Sequence, residues 1–125
     1  MSLLAPAVET DRAAVVTKAV LRAAEALGLT ARRLSQVIGA SEPTVSRMKA
    51  GQHMLDPSGK SYELSVLLIR VFRSLDAIAG GDAGVVRQWM GNENTALGGR
   101  PVDRLTTITG LLDVLAYLDA RRALV

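Results

Sequence analysis

The chain of 125 residues has no cysteine. That excludes a disulfide framework and a thiolate metal site, and it fits a reducing, cytoplasmic setting. His53 is the only histidine. A catalytic zinc needs more ligands, and a His-dependent triad would have to be assembled around a loop residue with no second group beside it. Aromatic residues make up 3% of the sequence against 49% hydrophobic residues in all, so a core must be built from Ala, Leu, Val and Ile, which suits helices. No apolar run approaches bilayer length and residues 1–8 carry no basic segment, so neither a membrane span nor a signal peptide is expected.

What is present is enough apolar material for one well-formed core, or for two small ones that share a boundary. The formal charge is +3, and it is unevenly placed. Residues 1–60 hold 8 basic and 5 acidic side chains, whereas residues 61–125 hold 7 of each. All the net positive charge therefore sits in the first half, an arrangement that agrees with a nucleic-acid-binding front and a neutral partner-binding back. Charge of this size is also ordinary for a soluble domain and decides nothing alone.

The front half is organised around residues 29–51, LTARRLSQVIGASEPTVSRMKAG. Thr30 can cap a short helix whose Leu34, Val37 and Ile38 share one face. Gly39 supplies a left-handed stop and Ala40 a small residue at a close approach. Ser41 then caps a second helix with Pro43 in its first turn, where a missing N–H costs little, so the cap must be taken by the N–H of Thr44. Val45 and Met48 face inward. Glu42, Thr44, Ser46, Arg47 and Lys49 are left on the outer face or at the helix start, a set rich in groups that reach phosphates and base edges. The stretch resembles the helix-turn-helix of the phage-repressor or Xre type, carried by Leu34, Gly39, Val45 and Gly51. The resemblance implies that Ser41, Glu42, Pro43, Thr44 and Arg47 meet the major groove. Glu42 and Pro43 depart from the residues usual there, since one repels phosphate and the other has no polar side chain, so base reading would rest on Arg47 and Thr44. Arg32, Ser46 and Lys49 complete the expected DNA-binding set. The bland alternative is a helical hairpin inside an all-α core.

Residues 1–10, with Pro6 and no clear period, read as a loose arm. From about Asp11, Val16, Ala19, Val20, Ala23 and Leu27 recur at helical spacing, forming a helix that braces the helix-turn-helix and ends at Gly28. Residues 51–60, GQHMLDPSGK, read as a hinge. Gly59, Lys60 and Ser61 match the end of a phosphate-binding loop, but Met54 stands where its first glycine belongs and no strand precedes it. Ser46 and Lys49 have the Ser-x-x-Lys spacing of penicillin-binding enzymes without the companion motifs. Ser61 can cap a long helix carrying Leu64, Leu67, Leu68, Val71, Leu75 and Ile78, apolar on more than one face and so buried by the chain itself or by a second copy. Asp82 can cap the next helix, in which Trp89, the only tryptophan, is the expected anchor of the second core.

Residues 89–125 form the second informative stretch. Gly98 and Gly99 make a tight turn, Pro101 opens a short helix with Asp103 in its first turn, and a last helix carries Ile108, Leu111, Leu112, Leu115 and Leu118. Gly110 inside that helix costs about 1 kcal/mol relative to alanine, which points to a backbone packed against it. Asp103, Thr106 and Thr107 read as capping residues and Asn94 as a turn residue, with no base or metal ligand near them in sequence. No catalytic site, metal site or cofactor is expected, and the protein is not expected to be an enzyme.

The run Leu97-Gly98-Gly99-x-Pro101-x-Asp103-x-Leu105-x-Thr107, with Trp89, Asn94, Gly110 and Val114, is similar to the toxin-binding domain of the Xre, MbcA and ParS antitoxins. The resemblance implies an all-α fold: residues 1–58 as an arm and helix-turn-helix bundle, residues 59–125 as a helical toxin-binding and dimerisation domain. It implies further that the protein inhibits a RES-domain toxin that depletes NAD, and that the complex represses its own operon. The family's C-terminal helix and tail reach into the toxin's cleft, which here means Tyr117, Asp119, Arg121, Arg122 and Val125. Two adjacent arginines and a carboxylate suit a cleft made for a phosphate-rich dinucleotide. Residue chemistry alone equally allows Arg121 and Arg122 simply to complement the negative end of the last helix. A homodimer on a palindromic operator is expected, because one such helix reads a half-site. The competing class is a dimeric transcription regulator with no toxin partner.

Overall fold

A computed structural model describes the backbone of residues 5–124 and the side chains of residues 10–124. Among these residues the chain forms seven α-helices and no strand: α1 (Ala5–Leu27), α2 (Ala31–Ile38), α3 (Glu42–Lys49), α4 (Lys60–Ile78), α5 (Ala83–Gly91), α6 (Pro101–Arg104) and α7 (Ile108–Arg122). A 3-10 turn over Thr95–Leu97 precedes α6.

The first helix starts earlier than its apolar pattern announces. It begins at Ala5 rather than near Asp11, and Pro6 is compatible with this because the first amides of a helix have no intrahelical acceptor to lose. Its inner face of Ala13, Thr17, Val20, Ala23, Ala24 and Leu27 is buried. Gly28, at φ +77°, ends it, and the N–H of Leu29 returns to the carbonyl of Ala24 at 2.8 Å.

α4 is the spine. It lies chiefly against α1 on one side and α7 on the other, with Leu68, Val71 and Leu75 almost fully buried. The two-sided apolarity of this helix is thus satisfied largely within the chain. A single apolar cluster runs from Val20 through Leu34, Val45, Leu68 and Met90 to Leu118. The loop before α4 is pinned at its middle: Leu55 is buried, and its N–H donates to Thr17 Oγ1 at 2.9 Å.

Three local expectations are corrected. α4 is capped by Gly59 with no side-chain bond, not by Ser61. Asp56 instead closes the preceding turn, accepting from the N–H and hydroxyl of Ser58 at 3.0 and 2.9 Å, and these bonds hold its carboxyl below the usual carboxylate range. Trp89 is only half-buried, at the rim of the core, and the neighbouring Met90 takes the buried position. On α7, Ile108 and Leu112 are 63% and 45% exposed, because Gly110, Leu111, Val114, Leu115 and Leu118 hold the inner face.

Gly110 itself fits where nothing larger does. A Cβ there would strike the backbone carbonyl oxygen of Arg104 and lie 2.9 Å from its carbon. The Thr107 hydroxyl oxygen caps α7, accepting the Gly110 N–H at 3.0 Å. These contacts set the sharp corner between α6 and α7.

Candidate functional site

The α2–α3 pair is built by local rules. Thr30 accepts the Arg33 N–H at 3.1 Å, Gly39 turns the chain at φ +68°, and Ser41 accepts the Thr44 N–H at 3.1 Å. Val45 and Met48 are buried, which fixes the roll of α3. Glu42, Pro43, Ser46, Arg47 and Lys49 are exposed, as are Ser41 and Arg32, and Thr44 is half-buried.

Polar groups at the start of α3 form a short chain. The Ser41 hydroxyl donates to Thr44 Oγ1 at 2.8 Å, and Arg47 Nη2 donates to the same oxygen at 3.1 Å. Thr44 thus accepts twice, and its own hydroxyl proton stays available to an outside acceptor. Arg47 is braced by one donor and keeps others to offer. Ser41 is spent as cap and brace, so its part is positional. Glu42, Lys49 and Arg32 form no ion pair among the described residues.

The far end of the molecule is arranged differently. Tyr117 stacks on Trp89, with centroids 6.0 Å apart and planes 28° from parallel, and the guanidinium of Arg121 sits 4.7 Å above the Tyr117 ring. Asp119 accepts the hydroxyl of buried Ser74 at 2.7 Å and pairs with Arg70 at 3.5 Å. Arg122 reaches the same Ser74 oxygen at 3.5 Å. Asp119 and Arg122 therefore tie the end of α7 to α4, while Tyr117 and Arg121 form an aromatic and cationic cap beside them. Val125 lies outside the described residues.

Residue spacing could not find one further cluster. Asp103 accepts from Arg33 of α2 at 3.1 Å and from Arg100 at 3.0 and 3.2 Å. The Arg100 hydrogen bond holds the Asp103 carboxyl below its usual range, with Arg33 adding to the effect, and Arg100 is raised in turn. Asp103 is thus a tether between α6 and the helix-turn-helix as well as a first-turn residue of α6. A partner 70 positions away leaves no mark in a local pattern.

A capped helix pair with an open outer face, carried on an all-helical body, defines a helix-turn-helix protein. Among the described residues no group of His, Asp and Glu could hold a metal ion, and no helix is long and apolar enough to cross a membrane. A family model for the antitoxin Xre-like helix-turn-helix domain matches residues 6–70. A second, for the C-terminal toxin-binding domain of the Xre, MbcA and ParS antitoxins, matches residues 74–123. The chain belongs to the Xre-family antitoxins, with a helix-turn-helix domain and a toxin-binding domain. No curated protein matches the sequence.

Proposed function

We propose that this antitoxin binds and inhibits a RES-domain toxin that degrades NAD, and that it represses its own operon by placing α3 in the major groove of a palindromic operator as a homodimer in the cytoplasm. In this reading residues 1–58 bind DNA and residues 59–125 bind the toxin. The observation that supports it most is the tandem of an Xre-like helix-turn-helix model and a toxin-binding model along one chain. The open face of α3 supports the DNA half, with Arg47 and Thr44 reading bases, Arg32, Ser46 and Lys49 meeting backbone, and Ser41, Glu42 and Pro43 shaping the approach.

The toxin half rests on Tyr117, Asp119, Arg121, Arg122 and Val125. Of these, Arg121 is best placed for direct contact, since it is exposed and, among the described residues, anchored on a ring face alone. Asp119 and Arg122 fix the helix end that presents it. Co-expression with a neighbouring RES-type toxin tests this reading: the full chain restores growth and intracellular NAD, and a chain lacking residues 120–125 does not. Full rescue by the shortened chain refutes the tail mechanism, and failure of the intact chain to rescue refutes the RES assignment.

A further inference from the structure

Three concavities meet at Thr30. One, of about 470 Å³, lies between the start of α2 and α5 and is lined by Arg33, Arg87 and Arg100. A second is bordered by Arg32 and Arg33, and a third by Arg22 and Lys49. Glu25 is the one acidic side chain on the three linings. Arg33 and Arg100 share the carboxylate of Asp103, and Glu93, whose charge also bears on Arg100, forms no ion pair with either among the described residues. Arg87 donates to the backbone carbonyl of Glu25 at 3.0 Å, a neutral acceptor that holds the guanidinium without cancelling it.

Two members of this belt, Arg87 and Arg100, belong to the part of the chain matched by the toxin-binding model. Counted along the sequence residues 61–125 are electroneutral, yet the fold carries these two cations to the N-terminal end of α2. Polyanionic backbone is the partner that such a belt fits: guanidinium groups spaced along a surface, with few acids among them, neutralise successive phosphates. We propose that Arg87 and Arg100 are phosphate contacts for the duplex that α3 enters, so that the DNA-facing surface continues past the helix-turn-helix onto the toxin-binding half. This rests on the DNA-binding reading above.

The test uses the full chain and a duplex carrying its promoter region, with affinity measured over a series of salt concentrations. Arg87→Gln lowers the slope of log affinity against log salt by about 1, and the double change with Arg100→Gln by about 2. Arg73→Gln, on the exposed side of α4 and outside the three concavities, leaves the slope unchanged, and thermal unfolding of each variant confirms that it folds. Arg87→Gln stands alone should the Arg100 change disturb Asp103. Wild-type slopes in the Arg87→Gln and double variants overturn the proposal, as does an equal fall with Arg73→Gln, which marks net charge alone. Retained slopes with loss of toxin binding overturn it in favour of an acidic face on the partner. A wild-type chain that binds no duplex at all refutes the DNA reading beneath it, an outcome distinct from wild-type binding with unaltered slopes in the variants.

Discussion

At the outer face of α3, Arg47 gives one donor to Thr44 and forms no ion pair among the described residues, whereas at the end of α7 Asp119 and Arg122 both converge on the buried Ser74. The first region holds its charged groups by neighbours on the same helix. The second draws on α4 nearly fifty positions away. A surface that must meet a regular polyanion can be laid out by one short helix whose roll is set by Val45 and Met48. A helix end that must be presented at a fixed angle has to be fastened to the body first, and it spends polar groups in doing so.

That contrast can be broken or sharpened by substitution. The largest effect belongs to Gly110→Ala at the α6–α7 corner. Helix propensity alone favours alanine by about 1 kcal/mol, but overpacking against rigid backbone outweighs it, and a net loss of about 3 kcal/mol is expected in denaturant unfolding. A stabilised variant would show that the corner opens freely. Arg47→Ala comes next, with operator affinity falling by about 1 to 3 kcal/mol, sequence choice relaxed and the unfolding midpoint unchanged. Ser74→Ala has the reverse signature: stability falls by about 1 kcal/mol while DNA affinity holds. If it also released DNA, the two regions would not be separable in the way their contacts indicate.

The smallest effect concerns Asp103. Its carboxyl titrates below the unfolded value, so the stability it adds is fully present above about pH 4 and fades as pH falls through the lower folded value. Its partner Arg33 and Asp103 itself are 30% and 49% exposed along their side chains, so solvent screening keeps this contribution at or below about 1 kcal/mol. An Asp103→Asn variant is expected to flatten the stability profile in that acid window and to match the parent below it. A profile parallel to the parent throughout would mean that the tether is not formed in solution.

Much of the helix-turn-helix was legible because its determinants are local. Thr30, Gly39, Ser41 and the spacing of Leu34, Val37, Ile38, Val45 and Met48 each act within one turn of chain. Asn94, Asp82 and Thr107 were readable as turn and cap residues for the same reason, and Gly110 announced a close backbone by being a glycine inside a helix. What escaped depended on partners far along the sequence. The half-exposed place of Trp89 follows from Tyr117, the outward turn of Ile108 and Leu112 from the surface that α4 leaves to α7, and the role of Arg33 from Asp103. Arg87 and Arg100 could not be joined to the basic front by counting charge, since adjacency in the fold is what assembles the belt.

The helix over residues 60–78 gives one flank to α1 and the other to α7, and the boundary between the two family matches, one ending at residue 70 and the other beginning at 74, falls inside it. Because one apolar cluster spans the rod and both of its neighbours, loosening it is expected to unfold the two halves in a single cooperative transition rather than one after the other.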